Sequence, residues 1–319
     1  MQLSIILEWE NAILSELDRT EKLLVEILNQ TFERSEIFEL LILHNSEMVT
    51  SEFIFNFISD TILKNNLRNK GELRLIDAKD AHYFQLKNQG VIEAKGDSVL
   101  ILDSDIIPKS DWLNELLSAH SKDHESITAG FTVIDYSDFI GKCFSLCWFF
   151  PIPNDRTDTV EVDMIFSNNF ICSRKLLLEN PYPNMEEGIT RGADLLLWKM
   201  LRDKKIKLYL CFAANATHPS PNGFSHFVKR GLAEGRDDYF RLFSSESKSK
   251  NPSFSFIKIW GKKSQLVFKK VFKYHAKVDS SAWQIPFIMV TMLSYYGFYL
   301  MGGVTSMLIP KFAKSSWQI

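Results

Sequence analysis

The chain has 319 residues, 45% hydrophobic and 24% charged, which excludes disorder, collagen-like repeats and low-complexity scaffolds as descriptions of the whole chain. Its 37 Lys and Arg against 39 Asp and Glu give a formal net charge of -2, which argues against nucleic acid as a partner because phosphate binding needs a basic surface. The four cysteines form no C-x-x-C pair, which favours reduced thiols in the cytoplasm over a zinc site. The first seven residues lack the basic start of a signal peptide.

Short apolar runs alternate with helix-period segments over the first two-thirds of the chain, which is typical of parallel strands connected by crossover helices. The pattern predicts strands at 3–7, 38–43, 73–76, 98–102, 126–134, 160–173 and 206–212. It predicts helices at 13–27, 83–95 and 192–202, and a further helix that carries Leu113, Leu116 and Leu117 and is capped by Ser110 or Asp111. The fourth strand cannot continue as a central strand through Pro108, because proline is excluded from central strands. The fold class is therefore α/β.

The composition changes after about residue 240. Nine lysines between 248 and 277 are countered only by Glu246 and Asp279. Apolar residues between these lysines fall near one helical face, although Gly261 weakens the prediction of a helix. The region predicts a basic amphipathic linker over 241–282.

The segment that follows is apolar. Residues 280–310 contain no charged side chain, and 285–309 is long enough to cross roughly 30 Å of hydrocarbon at about 1.5 Å per residue. Pro286 and three glycines leave open two shorter pieces lying in the bilayer surface, and a buried core helix is a further alternative. We predict a membrane-spanning or interfacial segment at 283–309, with a tail at 310–319. The lysine-rich flank places the preceding domain on the cytoplasmic side of the cell membrane.

The strongest local motif follows the predicted fourth strand. The apolar run 99–102 stops at Asp103-Ser104-Asp105, and a strand of an open α/β sheet delivers its carboxyl end to the ligand-binding crevice. Two carboxylates there suit Mg²⁺ or Mn²⁺ shared with substrate phosphates. The alternative is an Asp-rich turn that caps the next helix.

The D-x-D motif belongs to a series of short sequence segments. In chain order these are 4–11, 86–97, 102–105 with Pro108 and Trp112, 167–170 with Arg174, 191–195 with Leu201, and 216–218. Over about residues 2–240 this series resembles the family 2 glycosyltransferases with the GT-A fold. Three motifs depart from the family pattern: Glu8 and Glu10 replace its Pro and Tyr, His44-Asn45-Ser46 replaces its paired acids, and Ala193 stands where a Glu usually precedes the Asp.

The resemblance implies a GT-A domain over 1–240, a Rossmann-like mixed sheet flanked by helices. It implies inverting transfer of a sugar from a nucleotide-diphosphate donor to an acceptor hydroxyl, with a divalent metal on Asp103, Asp105 and His218 and with Asp194 as the base that accepts the proton. Glu10, Asn45, Lys87, Asp103 and Arg236 are the donor-binding candidates. For Asp194 the alternative is a favourable charge at a helix N-terminus, and for His218 a surface histidine in a loop.

Arg236 belongs to a basic stretch with Lys229 and Arg230, interrupted by Gly231 and Gly235. We predict a flexible loop that closes over the diphosphate, since Arg makes bidentate phosphate contacts. The alternative is a solvated basic face.

Two other functions fit parts of the pattern. A haloacid-dehalogenase-type phosphatase would use Asp103 as nucleophile after an apolar strand. A membrane-tethered GT-A-like module would bind a partner or polymer without catalysis. We expect the glycosyltransferase, with a lipid-linked or polysaccharide glycan as acceptor and with membrane lipid as a further partner.

Overall fold

The computed structural model describes residues 3–14, 17–32, 34, 38–68, 70–184, 192–243 and 251–317. The chain forms two compact units. The first contains Met1–Thr132, Asp155–Asn184 and Ala193–His218, and the second contains Val133–Asn154, Met185–Gly192 and Pro219–Ile319. Several residues of the predicted motifs lie outside the described residues: Arg191, Glu246, Lys248, Lys250 and the last two residues of the tail.

The strands are β1 (Leu3–Glu8), β2 (Phe38–His44), β3 (Glu72–Asp77), β4 (Ser98–Asp103), β5 (Ile107–Pro108), β6 (Ile127–Ile134), β7 (Thr159–Glu161), β8 (Asn169–Ser173) and β9 (Leu208–His218). The helices are α1 (Glu10–Leu14), α2 (Leu17–Phe32), α3 (Ser51–Lys64), α4 (Tyr83–Glu93), α5 (Trp112–His120), α6 (Phe139–Cys147), α7 (Arg174–Glu179), α8 (Ala193–Asp203), α9 (Gly223–Phe243), α10 (Pro252–Tyr274), α11 (Ile285–Leu308) and α12 (Pro310–Ser315).

The strands of the described residues form one mixed sheet in the order β3-β2-β1-β4-β8-β6-β9-β5, with β7 paired to β9. The first four strands in this order are parallel, and β8 is antiparallel to β4. The strands β1, β2 and β4 are buried along their whole length, as continuous apolar runs in parallel sheets are. Their register pairs Glu8 with Asp103, so the charged residues that end two apolar strands lie side by side.

One predicted strand is wrong. Residues 160–173 form β7 and β8, separated by a loop at 162–168. The two pieces pair with different partners, β7 with β9 and β8 with β4. In the loop the carbonyl of Asn168 accepts a hydrogen bond from the Asp103 amide at 3.0 Å. The break therefore supplies a backbone partner to the end of β4.

The predicted basic loop is also wrong, because Lys229, Arg230 and Arg236 lie in the long helix α9 of the second unit. Its glycines are contact points: a Cβ on Gly235 would overlap the carbonyl oxygen of Tyr299 in α11. The guanidinium of Arg236 is fully buried, and it donates to Asp237 Oδ1 at 2.7 Å and to the carbonyl of Ser316.

The apolar C-terminal segment forms one continuous helix. Pro286 lies in the first turn of α11, where its missing amide costs no hydrogen bond, and the three glycines do not interrupt the helix. The break into two pieces that the sequence left open is therefore absent between 285 and 308. By length and composition, 282–308 is the one helix of the described residues that could cross a membrane. Likewise α10 runs through Gly261 without a break.

A partly buried acid, Glu234 of α9, contacts two other helices of the second unit. It accepts hydrogen bonds from Lys263 Nζ at 2.6 Å, from Tyr295 OH at 2.7 Å and from Trp148 Nε1 at 3.0 Å. Burial alone would raise the pKa of Glu234, but the Lys263 ammonium and these hydrogen bonds lower the pKa to about 2. The charged form is thus the one that the folded unit stabilises.

We therefore expect the Glu234 carboxylate to contribute stability above its ordinary pKa of 4.5 and to lose it as the pH falls towards 2. The contribution is on the order of 3 kcal/mol. Urea unfolding in non-ionic detergent at pH 6 and pH 3 tests this: the free-energy gap between wild type and Glu234→Gln should shrink at the lower pH. A gap that does not change with pH would contradict it.

Candidate active site

The D-x-D turn at the end of β4 is tied to two neighbouring elements. The Ser104 amide donates to Glu8 Oε1 of β1 at 3.2 Å. From α2, Thr20 Oγ1 donates to the Ser104 carbonyl at 2.9 Å and Arg19 Nε donates to the Asp105 carbonyl at 2.8 Å. The turn is held through its backbone, which leaves the orientation of the two carboxylates to their own contacts.

Arg19 also reaches the end of β9, where its Nη2 donates a hydrogen bond to the carbonyl of Thr217 at 3.0 Å. One side chain therefore positions both the turn after β4 and the residue that precedes His218. Neither Arg19 nor Thr20 was predicted from the sequence as a residue of the site. A signal was present, because Thr20 precedes Leu23 and Leu24 by three and four residues and so lies on the buried face of α2.

Asp103, Asp105 and His218 come together at this edge of the sheet. Each offers one ligand atom, and these atoms lie within 4.8 Å of one another. His218 Nε2 is 3.6 Å from Asp105 Oδ2. Two carboxylates and one imidazole form a donor set that suits Mn²⁺ or Mg²⁺. The residues present therefore fit a divalent cation.

The Asp103 carboxylate has two further partners on α4. Lys87 Nζ donates to Oδ1 at 2.5 Å, and Tyr83 OH donates to Oδ2 at 2.6 Å. Each carboxylate oxygen keeps a second lone pair, so these bonds leave both oxygens able to coordinate a metal. Lys87 is fully buried and also donates to the Ser167 carbonyl at 2.8 Å. Lys87, a donor-binding candidate, is thus the buried counter-charge of Asp103.

Two further acids, Glu8 and Glu10, lie close to the D-x-D motif. Burial raises the pKa of Glu8 well above its usual value, and the negative charge of Asp103 raises it further. Burial likewise raises the pKa of Asp103, against the opposing effect of Lys87. The Glu10 carboxylate accepts a hydrogen bond from the Tyr83 amide at 2.8 Å, and burial also raises the pKa of Glu10. Glu10 therefore contacts the start of α4, whose Tyr83 side chain binds Asp103.

Asn45 and Arg236 have other surroundings. Asn45 is buried after β2, where it donates to the Ala81 carbonyl at 3.2 Å and accepts the Glu47 amide at 2.9 Å. Arg236 belongs to the second unit and is enclosed as described above. Donor binding by either residue stays a prediction.

Asp194 lies in the first turn of α8 and is half-buried. The negative charges of Asp194 and Asp103 both act on Tyr182. Burial raises the pKa of Tyr182 well above its usual value, and these two charges raise it further. Tyr182 is fixed by Asn88 of α4, which exchanges two hydrogen bonds of 2.9 Å with its backbone. One tyrosine is therefore within electrostatic range of the candidate base and of the candidate metal ligand.

Solved structures share this architecture across nearly the whole chain. The mannosyltransferase PcManGT from Pyrobaculum calidifontis, in complex with GDP-Man and Mn²⁺, matches with a TM-score of 0.55 at 12% identity, covering 97% of this chain and 87% of that chain. S. aureus TarS 1-349, in complex with UDP-GlcNAc, matches with a TM-score of 0.51 at 14% identity, covering 97% and 92%. The chain has the GT-A fold. The predicted fold class is confirmed.

At these identities the likeness establishes the GT-A fold and no more. No protein-family model matches the sequence, and no curated protein matches it. The GT-A fold is inconsistent with the phosphatase alternative, which needs its D-x-D on the first strand of a different fold. Here the motif ends β4, after three other strands.

Proposed function

We propose that this protein is a glycosyltransferase that moves a sugar from a nucleoside-diphosphate sugar to an acceptor hydroxyl with the help of Mn²⁺ or Mg²⁺. The observation that carries the proposal is the cluster of Asp103, Asp105 and His218 within 4.8 Å at the carboxyl end of β4. The two solved GT-A structures hold UDP-GlcNAc in one case and GDP-Man with Mn²⁺ in the other, which supports a nucleotide-sugar donor.

Each residue then has a chemical task. Asp103, Asp105 and His218 would hold the divalent cation, which would supply positive charge to stabilise the leaving diphosphate. Lys87 and Tyr83 hold the Asp103 carboxylate in one orientation. Asp194 accepts the proton of the acceptor hydroxyl while the hydroxyl oxygen attacks the anomeric carbon of the donor sugar. Attack on the face opposite the diphosphate inverts the anomeric configuration.

The acceptor is a lipid-linked or polysaccharide glycan at the cytoplasmic face of the cell membrane. The apolar helix α11 and the lysine-rich α10 support this location, because the anionic lipids of the cytoplasmic leaflet attract lysines and a membrane-bound enzyme meets its lipid-linked substrates there.

The deciding experiment is calorimetric titration of the detergent-purified protein with a panel of UDP- and GDP-sugars, with and without Mn²⁺, alongside an assay for released nucleoside diphosphate. We expect one donor to bind in the presence of Mn²⁺ and Asp105→Asn to weaken that binding at least about tenfold, the loss typical even of outer partners of a metal ligand. Asp97→Asn, an exposed acid just before β4, is the matched control.

If no donor binds with or without Mn²⁺, the proposed function is wrong. Binding of a nucleotide sugar without release of nucleoside diphosphate would instead favour the non-catalytic binding module. If wild type and Asp105→Asn release nucleoside diphosphate equally well, the cluster of Asp103, Asp105 and His218 has no part in catalysis.

A further inference from the structure

Helix α10 of the second unit presents an unusual exposed stripe. Phe254, Ile257, Phe268 and Phe272 are 68%, 41%, 43% and 62% exposed, and their spacing places them on one side of the helix. Phe256, Val267 and Val271, on another side of the helix, are buried. Three exposed phenylalanines and an exposed isoleucine on one side of a helix indicate a contact surface rather than chance exposure.

Lysines lie beside that stripe. Lys258, Lys262, Lys269 and Lys273 are exposed and lie next to it at helical spacing. None of the four forms an ion pair within the described part of the chain. In contrast Lys263, on the buried side, is bound to Glu234 and Asp238. The exposed surface of α10 therefore combines aromatic side chains with uncompensated positive charge, as interfacial membrane helices do.

The exposed side of α11 continues this surface. Phe287, Val290 and Met301 are 58%, 66% and 56% exposed. At its start, α11 forms with the end of α10 an apolar groove of about 540 Å³. The groove is lined by Phe272, Ile285, Pro286, Met289, Val290 and Leu293. The exposed apolar residues of the two helices thus meet in one surface.

The other side of α11 is covered along nearly its whole length. Its buried residues run from Ile288 to Ser306, about 27 Å at 1.5 Å per residue. Tyr295 OH donates to Glu234 and Tyr299 OH donates to Asp238, each at 2.7 Å. If α11 crossed a bilayer, it would carry these acids and the rest of α9 into the hydrocarbon, which is costly.

We propose that α10 and α11 form a docking surface for a bilayer with anionic headgroups, in which α11 lies in the membrane plane and does not span. The aromatic stripe and the groove take up acyl chains, and the lysines face the headgroups. The lysines favour an anionic bilayer over a second copy of the chain, because a second copy would bring its own lysines against those of the first. This inference does not depend on sugar transfer.

Flotation with vesicles tests the surface. We expect the protein, freed of detergent in the presence of vesicles, to float with phosphatidylglycerol-containing vesicles and to bind phosphatidylcholine vesicles at least about tenfold more weakly. Lys262→Glu/Lys269→Glu and Phe268→Ser/Phe272→Ser should each reduce binding to the anionic vesicles by a similar factor. The matched control is Leu63→Ser, which changes a side chain of α3 that is 78% exposed. Equal flotation of all variants would overturn the proposal, as would a stable dimer that does not float.

Depth measurements separate lying from spanning. Spin labels at Phe287→Cys, Ser294→Cys and Met301→Cys lie seven residues apart on one exposed stripe of α11, and the four native cysteines are buried. A helix in the plane gives three similar depths. A spanning helix places position 294 about 10 Å deeper than its flanks, a result that would overturn the proposal.

Discussion

We expect Asp194→Asn to lower the turnover number about 10²- to 10⁴-fold, the range typical of losing a general base. The asparagine keeps the size and the hydrogen-bonding edge of the side chain but cannot accept the acceptor's proton. Since Asp194 is assigned to the acceptor and not to the donor, the dissociation constant of the nucleotide sugar should stay within about twofold. Single-turnover kinetics with the identified donor, beside calorimetry of donor binding, measure the two quantities separately.

A purely structural role for Asp194 makes a different prediction. An acid in the first turn of α8 interacts with the helix macrodipole, worth about 0.3–1 kcal/mol, so its loss would lower the stability slightly and the turnover by no more than the unfolded fraction. Asp203→Asn at the exposed end of the same helix is the control. Turnover within threefold of wild type in Asp194→Asn would reject Asp194 as the base.

The position of the site was predictable from local sequence. A continuous apolar run is a buried strand, and an acid at its end has to lie where the strand leaves the core, which placed Asp103 and Asp105 correctly at the end of β4. The same reasoning applied to β1 would have identified Glu8, which ends its own apolar run and pairs in register with Asp103.

The contacts that hold the site were not predictable in this way. Arg19 and Thr217 are 198 residues apart in sequence, and no periodicity within α2 or β9 reveals that they meet. Lys87 shows the same limit: its position on a helix was predicted, but its burial against Asp103 depends on how α4 packs on the sheet. Such pairings follow from tertiary packing, which a single sequence does not encode locally.

The glycines of α9 show how a correct observation led to a wrong structure. Gly231 and Gly235 suggested a flexible loop, since glycine permits many backbone conformations. In the structure their missing side chains allow close approach of α11, where Phe298 and Tyr299 leave no space for a Cβ. The four-residue spacing that places both on one helical face was the available signal, and reading it required knowledge of the partner helix.

Lys87→Met should destabilise the first unit by about 3–5 kcal/mol, the cost of removing one partner of a buried ion pair. The ammonium is fully buried, lies 2.5 Å from Asp103 Oδ1 and sits 3.8 Å from the centre of the Tyr83 ring. Methionine fills a similar volume, so the loss reports charge and hydrogen bonding more than a cavity. Urea unfolding at neutral pH, followed by tryptophan fluorescence, measures the change.

The proximity of Glu8 makes this prediction specific. Without Lys87, Glu8 and Asp103 are two neighbouring buried acids with no cation between them, and each disfavours ionisation of the other. Neutralising one of them by Glu8→Gln should therefore restore part of the stability, so the double variant Glu8→Gln/Lys87→Met should lose less than the sum of the single losses, by about 0.5–3 kcal/mol. The control is Lys95→Met, because the exposed pair of Lys95 with Glu72 is worth at most about 1 kcal/mol. Equal losses for Lys87→Met and Lys95→Met would mean that Lys87 is not the counter-charge of the site.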